Sequence, residues 1–359
     1  MKKHYFLATA VAALALWSCA NNDNLQPVPE EANAIGFGTF LARIPQGSGA
    51  AAPKVAVLDL NSLKNTGFKV FAYHNSAAPT TLVSSVTGAP TFMNDTLVEW
   101  KTNQWEYAPT RYWPRPSEST WGYVSFFAFS KVTGAAATYT AGGGSNPGIV
   151  FTTQESAASQ VDLVADTAYS RTGAGGAVKF NFAHILSKIG FSAKLAQSYA
   201  DATVKIKSLK VYYKSGKVSR KGTYTFPGRS GVAGGWIPAS DCFSEKPAES
   251  GDHLFDNSAG YVLDATAYNL CGDDSYLMLV PQNRAAGDIY VELKYSVTTV
   301  QPELTVDNRL TVELPAVNFT AGNAYTFTFA LTLKSVDFVN TTVSAWGAET
   351  NTEIPTDVP

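Results

Sequence analysis

Few side chains in this chain of 359 residues could do chemistry: three cysteines, four histidines and a dense run of aromatic rings. Cys242 and Cys271 could close a disulfide, which for a loop of roughly 30 residues contributes about 3 to 4 kcal/mol by chain entropy in an oxidising compartment. Two buried free thiols would give the same sequence. His4, His74, His184 and His253 lack the spacing of metal ligands, and Asp273-Asp274 lacks the further oxygen donors at alternating positions that calcium needs. The sequence contains no Cys-x-x-Cys, His-Glu-x-x-His, Gly-x-Ser-x-Gly, Walker or dinucleotide-loop pattern. No enzyme, metal or cofactor is expected. Trp100, Trp105, Tyr107, Tyr112, Trp113, Trp121, Tyr123, Phe126, Phe127 and Phe129 crowd one short stretch. Such rings either fill a core or stack on sugars, and the apolar residues on both faces of Val124 to Phe129 favour the core.

The N-terminus sets the compartment. Lys2 and Lys3 precede an uncharged stretch, Tyr5 to Trp17, too short to cross a bilayer as a helix, which reads as a signal peptide over residues 1–18. Its end, Leu14-Ala15-Leu16-Trp17-Ser18-Cys19, resembles the bacterial lipobox, so Cys19 is expected to carry a diacylglycerol and anchor the chain to the outer membrane. Residues 19–34 have no apolar periodicity and read as a lipidated tether. Removing the first 18 residues takes away two lysines and no acid, which moves the formal charge from −2 to −4. So weak a field excludes nucleic acid as a partner.

The elements that must position these groups are strands. The chain is 45% hydrophobic and only 16% charged, rich in threonine, tyrosine and phenylalanine, with 28 glycines and 18 prolines to turn it. Ile289, Val291, Leu293, Tyr295 and Val297 alternate with polar residues, as do Tyr325, Phe327, Phe329 and Leu331. Asp307-Asn308 reads as a hairpin turn between Leu304-Val306 and Leu310-Val312-Leu314. The phase changes between Phe182 and Ile189, a turn, and across Ser208, a bulge. One passable helix, Ala193 to Ala200, is too short to matter. The small-residue stretch from Arg171 to Gly176 reads as a domain boundary. The expected architecture is all-β, with antiparallel β-sandwich domains at 35–172 and 173–359.

Several segments, in order, resemble the fimbrillins, pilin subunits of the type V pili of Bacteroidales. They are Gly67-Phe68-Lys69-Val70-Phe71-Ala72-Tyr73, then Trp105-Glu106-Tyr107-Ala108-Pro109 with Tyr112-Trp113-Pro114, and Val124 to Phe129. Phe182-Ala183-His184-Ile185-Leu186-Ser187-Lys188, Leu279-Val280-Pro281-Gln282 and Thr320-Ala321-Gly322-Asn323-Ala324-Tyr325 continue the match.

The resemblance implies two transthyretin-like domains, export as a lipoprotein, trimming after an arginine, and polymerisation with other fimbrial subunits by strand exchange for adhesion to host or bacterial surfaces. Arg43 is then the expected cut. The strand released carries Ile35, Phe37, Thr39 and Leu41 on one face, and losing four or five apolar side chains would remove roughly 6 to 15 kcal/mol, the whole margin of an ordinary domain. The donor is expected from Val336 and Phe338 on one face and Val339, Thr341, Val343 and Ala345 on the other. In a lone subunit this run could instead pair within its own sheet. Thr96 and Thr167, in Asp95-Thr96-Leu97 and Asp166-Thr167-Ala168, resemble a Bacteroidales O-glycosylation pattern. The rival expectation is a monomeric glycan-binding surface lipoprotein.

Overall fold

The computed structural model describes residues 34–41, 58–78, 88–115, 122–132, 137–142, 146–228, 234–244, 253–271, 276–333, 335–346 and 352–354. Cys19, Arg43, Trp121, Asp273 and Asp274 lie outside the described residues, as do the signal peptide and nearly all of the tether.

Strands dominate, as the alternating apolar pattern requires. In chain order the first nine are β1 (Phe37–Leu41), β2 (Phe68–Asn75), β3 (Met93–Lys101), β4 (Gln104–Glu106), β5 (Tyr123–Ser130), β6 (Ala137–Thr140), β7 (Gly148–Thr152), β8 (Val164–Arg171) and β9 (Val178–His184). Seven of them form one sheet in the order β1-β9-β8-β5-β2-β3-β4. Its two central strands are buried on both faces, and successive residues divide between two cores. Phe68, Val70, Val124 and Phe126 join Ile35, Phe37, Trp105, Trp113, Phe180 and Phe182 in one. Phe71, Tyr73, Phe127 and Phe129 join Ile149, Phe151 and Phe226 in the other.

The sequence gives no sign of the helix α1 (Leu60–Thr66), capped at its start by Asp59, whose Oδ1 accepts from the Ser62 amide at 2.6 Å. It ends at Gly67, which sits at φ 80° where a Cβ would come within 2.6 Å of the Val98 carbonyl oxygen, so only glycine can turn the chain there into β2. The segment read as a weak helix, Ala193 to Ala200, instead begins as strand.

The remaining strands are β10 (Ser187–Leu195), β11 (Ala202–Tyr213), β12 (Lys221–Thr225), β13 (Gly235–Pro238), β14 (His253–Val262), β15 (Tyr268–Asn269), β16 (Leu277–Leu279), β17 (Asn283–Arg284), β18 (Ile289–Val300), β19 (Glu303–Glu313), β20 (Val317–Asn318), β21 (Asn323–Leu331), β22 (Val336–Ala345) and β23 (Thr352–Ile354). Sheets β15-β10-β21-β22-β23 and β14-β11-β18-β19 enclose a third core, with Phe191, Ile206, Leu209, Val291, Leu293, Phe327 and Phe329 inside it. The bulge expected at Ser208 is present as a register shift between Ile206 and Ser208 against both neighbouring strands.

Three expectations need correction. First, β9 pairs with β1 and β8, so the first sheet runs on past residue 172 and β10 opens the second body. The reason is packing: Phe180 and Phe182 point into the first core. The β12–β13 hairpin also crosses back, with β12 alongside β7. Second, Asp307-Asn308 makes no turn, since β19 runs straight through it and pairs with β18 from Val300↔Glu303 to Tyr290↔Glu313. The chain reverses at Gln301-Pro302, which joins the two strands directly. Third, the pairing is not antiparallel throughout: β1 runs parallel to β9, and β10 parallel to β21.

Candidate subunit-interaction site

The two-residue period of β1 sets Ile35, Phe37, Thr39 and Leu41 on one face and Gly36, Gly38 and Phe40 on the other. Among the described residues β1 lies at the edge of the first sheet, with β9 as its one strand neighbour and an isolated bridge from Ala34 to Tyr112 just before it, yet its inner face is core. Ile35 is 2% and Phe37 8% exposed, whereas Phe40 on the outer face is 56% exposed. Leu41 is half-buried against the same core. The Phe37 ring stacks on Phe180 at 5.8 Å and meets Tyr107, Phe126 and Phe68 edge-on at 5.3, 6.0 and 6.1 Å.

Polar contacts fix the register. The Val178 amide donates to the Gly36 carbonyl at 2.8 Å, and the Ile35 amide donates to the Arg111 carbonyl at 2.9 Å. The Tyr107 hydroxyl donates to the Ile35 carbonyl at 2.9 Å, and burial raises its phenol above the ordinary value, which keeps it a donor. The Trp105 indole N–H donates to Thr39 Oγ1 at 3.0 Å. All four residues of the expected inner face therefore meet the first core or its rim.

β22, the expected donor, is paired within its own sheet. It runs antiparallel to β21 from Leu331↔Val336 to Asn323↔Ala345, with a register shift that leaves Val339 as the bulged residue, and β23 lies along its other side. The bulge accounts for the change of face after Phe338 in the sequence. Thr341 is buried, Val343 half-buried, Val339 and Ala345 exposed; the side chains of Val336 and Phe338 lie outside the described residues.

At the end of β22 the chain docks on the first sheet through residues that sequence reasoning missed. The Trp346 ring lies flat on His184 at 4.1 Å and 4°, and its amide donates to the Gly322 carbonyl at 2.6 Å. His184, the last residue of β9, has Nδ1 2.8 Å from Asp162 Oδ2, in a fully buried pair. The Asp162 carboxylate also accepts from the Leu58 and Leu163 amides at 3.0 and 2.7 Å. Both ends of one strand are thus engaged: β9 carries β1 along Val178 to Phe182 and the foot of β22 at His184. The only local signal was the histidine itself, since nothing in the sequence pairs it with a tryptophan so far along the chain.

The remaining candidates fall as follows. Trp105, Trp113, Phe126, Phe127 and Phe129 are buried, so these rings of the aromatic run are core, while Tyr112 is 43% exposed. Trp100 is half-buried beneath the Lys64 ammonium, which stands 4.1 Å above its ring. Cys242 and Cys271 are free thiols: Cys242 pairs by its backbone with Ser219, and the buried Cys271 sulfur accepts from the Phe191 amide at 3.2 Å. No group of metal ligands occurs among the described residues.

A profile of fimbrillin-like proteins matches residues 57–346, most of the chain. The chain belongs to the fimbrillin-like family. It is 23% identical, over 97% of its own length and 98% of the relative's, to the fimbrium subunit Fim1C of Phocaeicola vulgatus. The crystal structure of a fimbrial protein from Bacteroides vulgatus shares its fold, at a TM-score of 0.64 and 20% identity, covering 87% of this chain and 99% of that one. The family is one of fimbrial structural subunits, not of enzymes.

Of the two tripeptides that resemble a glycan acceptor, Thr96 lies on β3 opposite Val70, beside Asp95, which is paired with Lys69 at 2.8 Å. Thr167 lies on the interior strand β8 opposite Phe127, and the neighbouring Asp166 carboxylate accepts from the Asn181 amide at 2.5 Å.

Proposed function

We propose that this chain is a fimbrial subunit, exported as a lipoprotein through Cys19, cut after Arg43 and polymerised at the cell surface when a strand of one copy takes the place of β1 in another. The observation that supports this is the contradiction in β1 between position and burial: it is an edge strand, yet its inner face is core. Arg43 follows Leu41 by two residues, so a cut there would free the whole strand. Ile35, Phe37 and Leu41 at about 1.5 to 3 kcal/mol each amount to roughly 5 to 9 kcal/mol, comparable with the stability of an entire domain. A sheet left with such a slot would be completed by an extended segment, the general logic of strand addition.

On this reading the donor comes from the Val336 to Trp346 run, the partners are other fimbrial subunits, and the fimbrium adheres to host or bacterial surfaces. Thr96 and Thr167, both half-buried, are its candidate glycan acceptors. The glycan-binding alternative has less support, since Trp105, Trp113, Phe126, Phe127 and Phe129 are turned inward.

The test is to treat the lipid-free chain with an arginine-specific protease and image it by electron microscopy, with Arg43→Ala alongside. Filaments from the wild type and none from the variant are expected. Monomers that persist after mass spectrometry shows complete cutting at Arg43 would overturn the reading.

A further inference from the structure

Resting on that strand-exchange reading, we propose that the place beside β9 is filled by residues 336–340 of a second copy. The register sets Phe338 where Phe37 lies and Asn340 against the Trp105 indole. The vacated slot states its own requirements. It needs an apolar residue at the Ile35 position, a large ring two residues on, and then a hydrogen-bond acceptor for Trp105 Nε1, which loses Thr39 Oγ1 when β1 leaves. Trp105 is 8% exposed, so an unmet donor there is a buried one.

Val336, Phe338 and Asn340 supply an apolar residue, an aromatic ring and an amide oxygen at this spacing. Asn340 has a reason to move, because in its own sheet its Oδ1 is buried without a hydrogen-bond partner. The outward positions also accept side chains: a Cβ at Gly36 would meet Ala177 Cβ at 3.6 Å, and one at Gly38 would meet Lys179 Cγ at 3.8 Å, both ordinary contacts. Asp337 and Val339 therefore fit where the glycines stand, with Val339 opposite the exposed Lys179. Val339 is bulged out of the ladder with β21, whereas pairing with β9 in this register needs no bulge.

Two competing registers fail on local grounds. Ile354, Thr356 and Val358 mimic Phe37, Thr39 and Leu41, but they set Pro355 at the Gly38 position. The Val178 amide bonds Gly36, and the two-residue period of a parallel ladder turns the Gly38 N–H to β9 as well. Proline has no N–H to give. The other face of β22 fits best with Val339 at the Phe37 position, Thr341 at Thr39 and Val343 at Leu41, but it sets the Asp337 carboxylate where Ile35 is 2% exposed and puts a valine in the ring socket of Phe68, Tyr107, Phe126 and Phe180.

Cysteine pairs in the full lipid-free chain, carried in a Cys242→Ser background, test the register. After protease treatment and oxidation, Lys179→Cys with Val339→Cys should give a ladder of covalent multimers on a non-reducing gel. Lys179→Cys with Asp337→Cys, Asn340→Cys, Thr341→Cys or Pro355→Cys should not. Filaments that cross-link through one of those pairs and not through Val339→Cys would overturn the register while leaving strand exchange standing. Absence of filaments from the cut wild-type chain would remove strand exchange, and the register with it. A second measurement does not depend on cross-linking: Asn340→Leu should raise the critical concentration for filaments about tenfold, and by less than twofold in a Trp105→Phe background. An equal effect in both backgrounds would refute the Asn340–Trp105 contact.

Discussion

Replacing Phe37 by alanine isolates the role of β1. The ring is 8% exposed and touches four other rings, one stacked and three edge-on. Truncating a buried phenylalanine costs about 3 to 5 kcal/mol. An edge strand offers one escape, since β1 can detach rather than leave a cavity. Its own contribution of roughly 5 to 9 kcal/mol, from the burial of Ile35, Phe37 and Leu41, then sets the ceiling. The expected loss for Phe37→Ala is therefore about 3 to 5 kcal/mol. Phe40→Ala, on the same strand but facing water, should change stability by no more than about 0.5 kcal/mol. Urea unfolding of the lipid-free chain by tryptophan fluorescence reads both, because Trp105 packs edge-on to Phe68 at 4.9 Å and bonds Thr39. The midpoint should fall for Phe37→Ala with little change in slope. A loss below about 1 kcal/mol, or equal losses for the two variants, would refute the claim that the inner face of β1 completes the first core.

Further outcomes follow from other contacts. Trp346→Ala should cost about 3 to 5 kcal/mol and speed amide exchange along β22, because the ring that holds the strand's foot to His184 is gone; unchanged exchange would show that the stack does not hold the strand. Gly67→Ala should destabilise by more than about 1 kcal/mol, since φ is 80° and the new Cβ would sit 2.6 Å from the Val98 carbonyl oxygen. Burial pushes the Cys271 thiol from 9.0 up to about 12, so at pH about 8 a thiol reagent should modify Cys242 and reach Cys271 only after unfolding. The same shift makes stability pH-dependent. The unfolded thiol ionises first, so the contribution is complete below about pH 9 and is lost as pH rises toward 12. Tyr224, raised by burial to about 12, acts in the same direction above about pH 10. A urea midpoint that rose between about pH 9 and 11 would contradict both.

Local alternation was legible wherever one strand face is core. β18 and β21 appear where Ile289 to Val297 and Tyr325 to Leu331 predict them, and so does the bulge at Ser208. The burial of β5 on both faces follows from its apolar run from Val124 to Phe129, broken only by Ser125. Turn chemistry misled at Asp307-Asn308, because β18 offers an eleven-residue partner that carries β19 straight through. The seven-residue α1 went unread because its apolar face reduces to Leu63, the single buried residue in the helix.

The sequence by itself determined the class of fold, the alternating strands, the aromatic filling of the first core and the family resemblance, because each depends on residues close together along the chain. It also picked out the inner face of β1. Which strands meet was decided by tertiary structure alone: β1 on β9, β12 on β7 and Trp346 on His184 join segments separated by long stretches of chain. A strand's two-residue period tells which face it buries. Its edge hydrogen bonds are the same for every residue but proline, so they carry no record of the neighbour. Only the collective packing of side chains such as Phe37, Phe180 and Phe182 selects one partner from many.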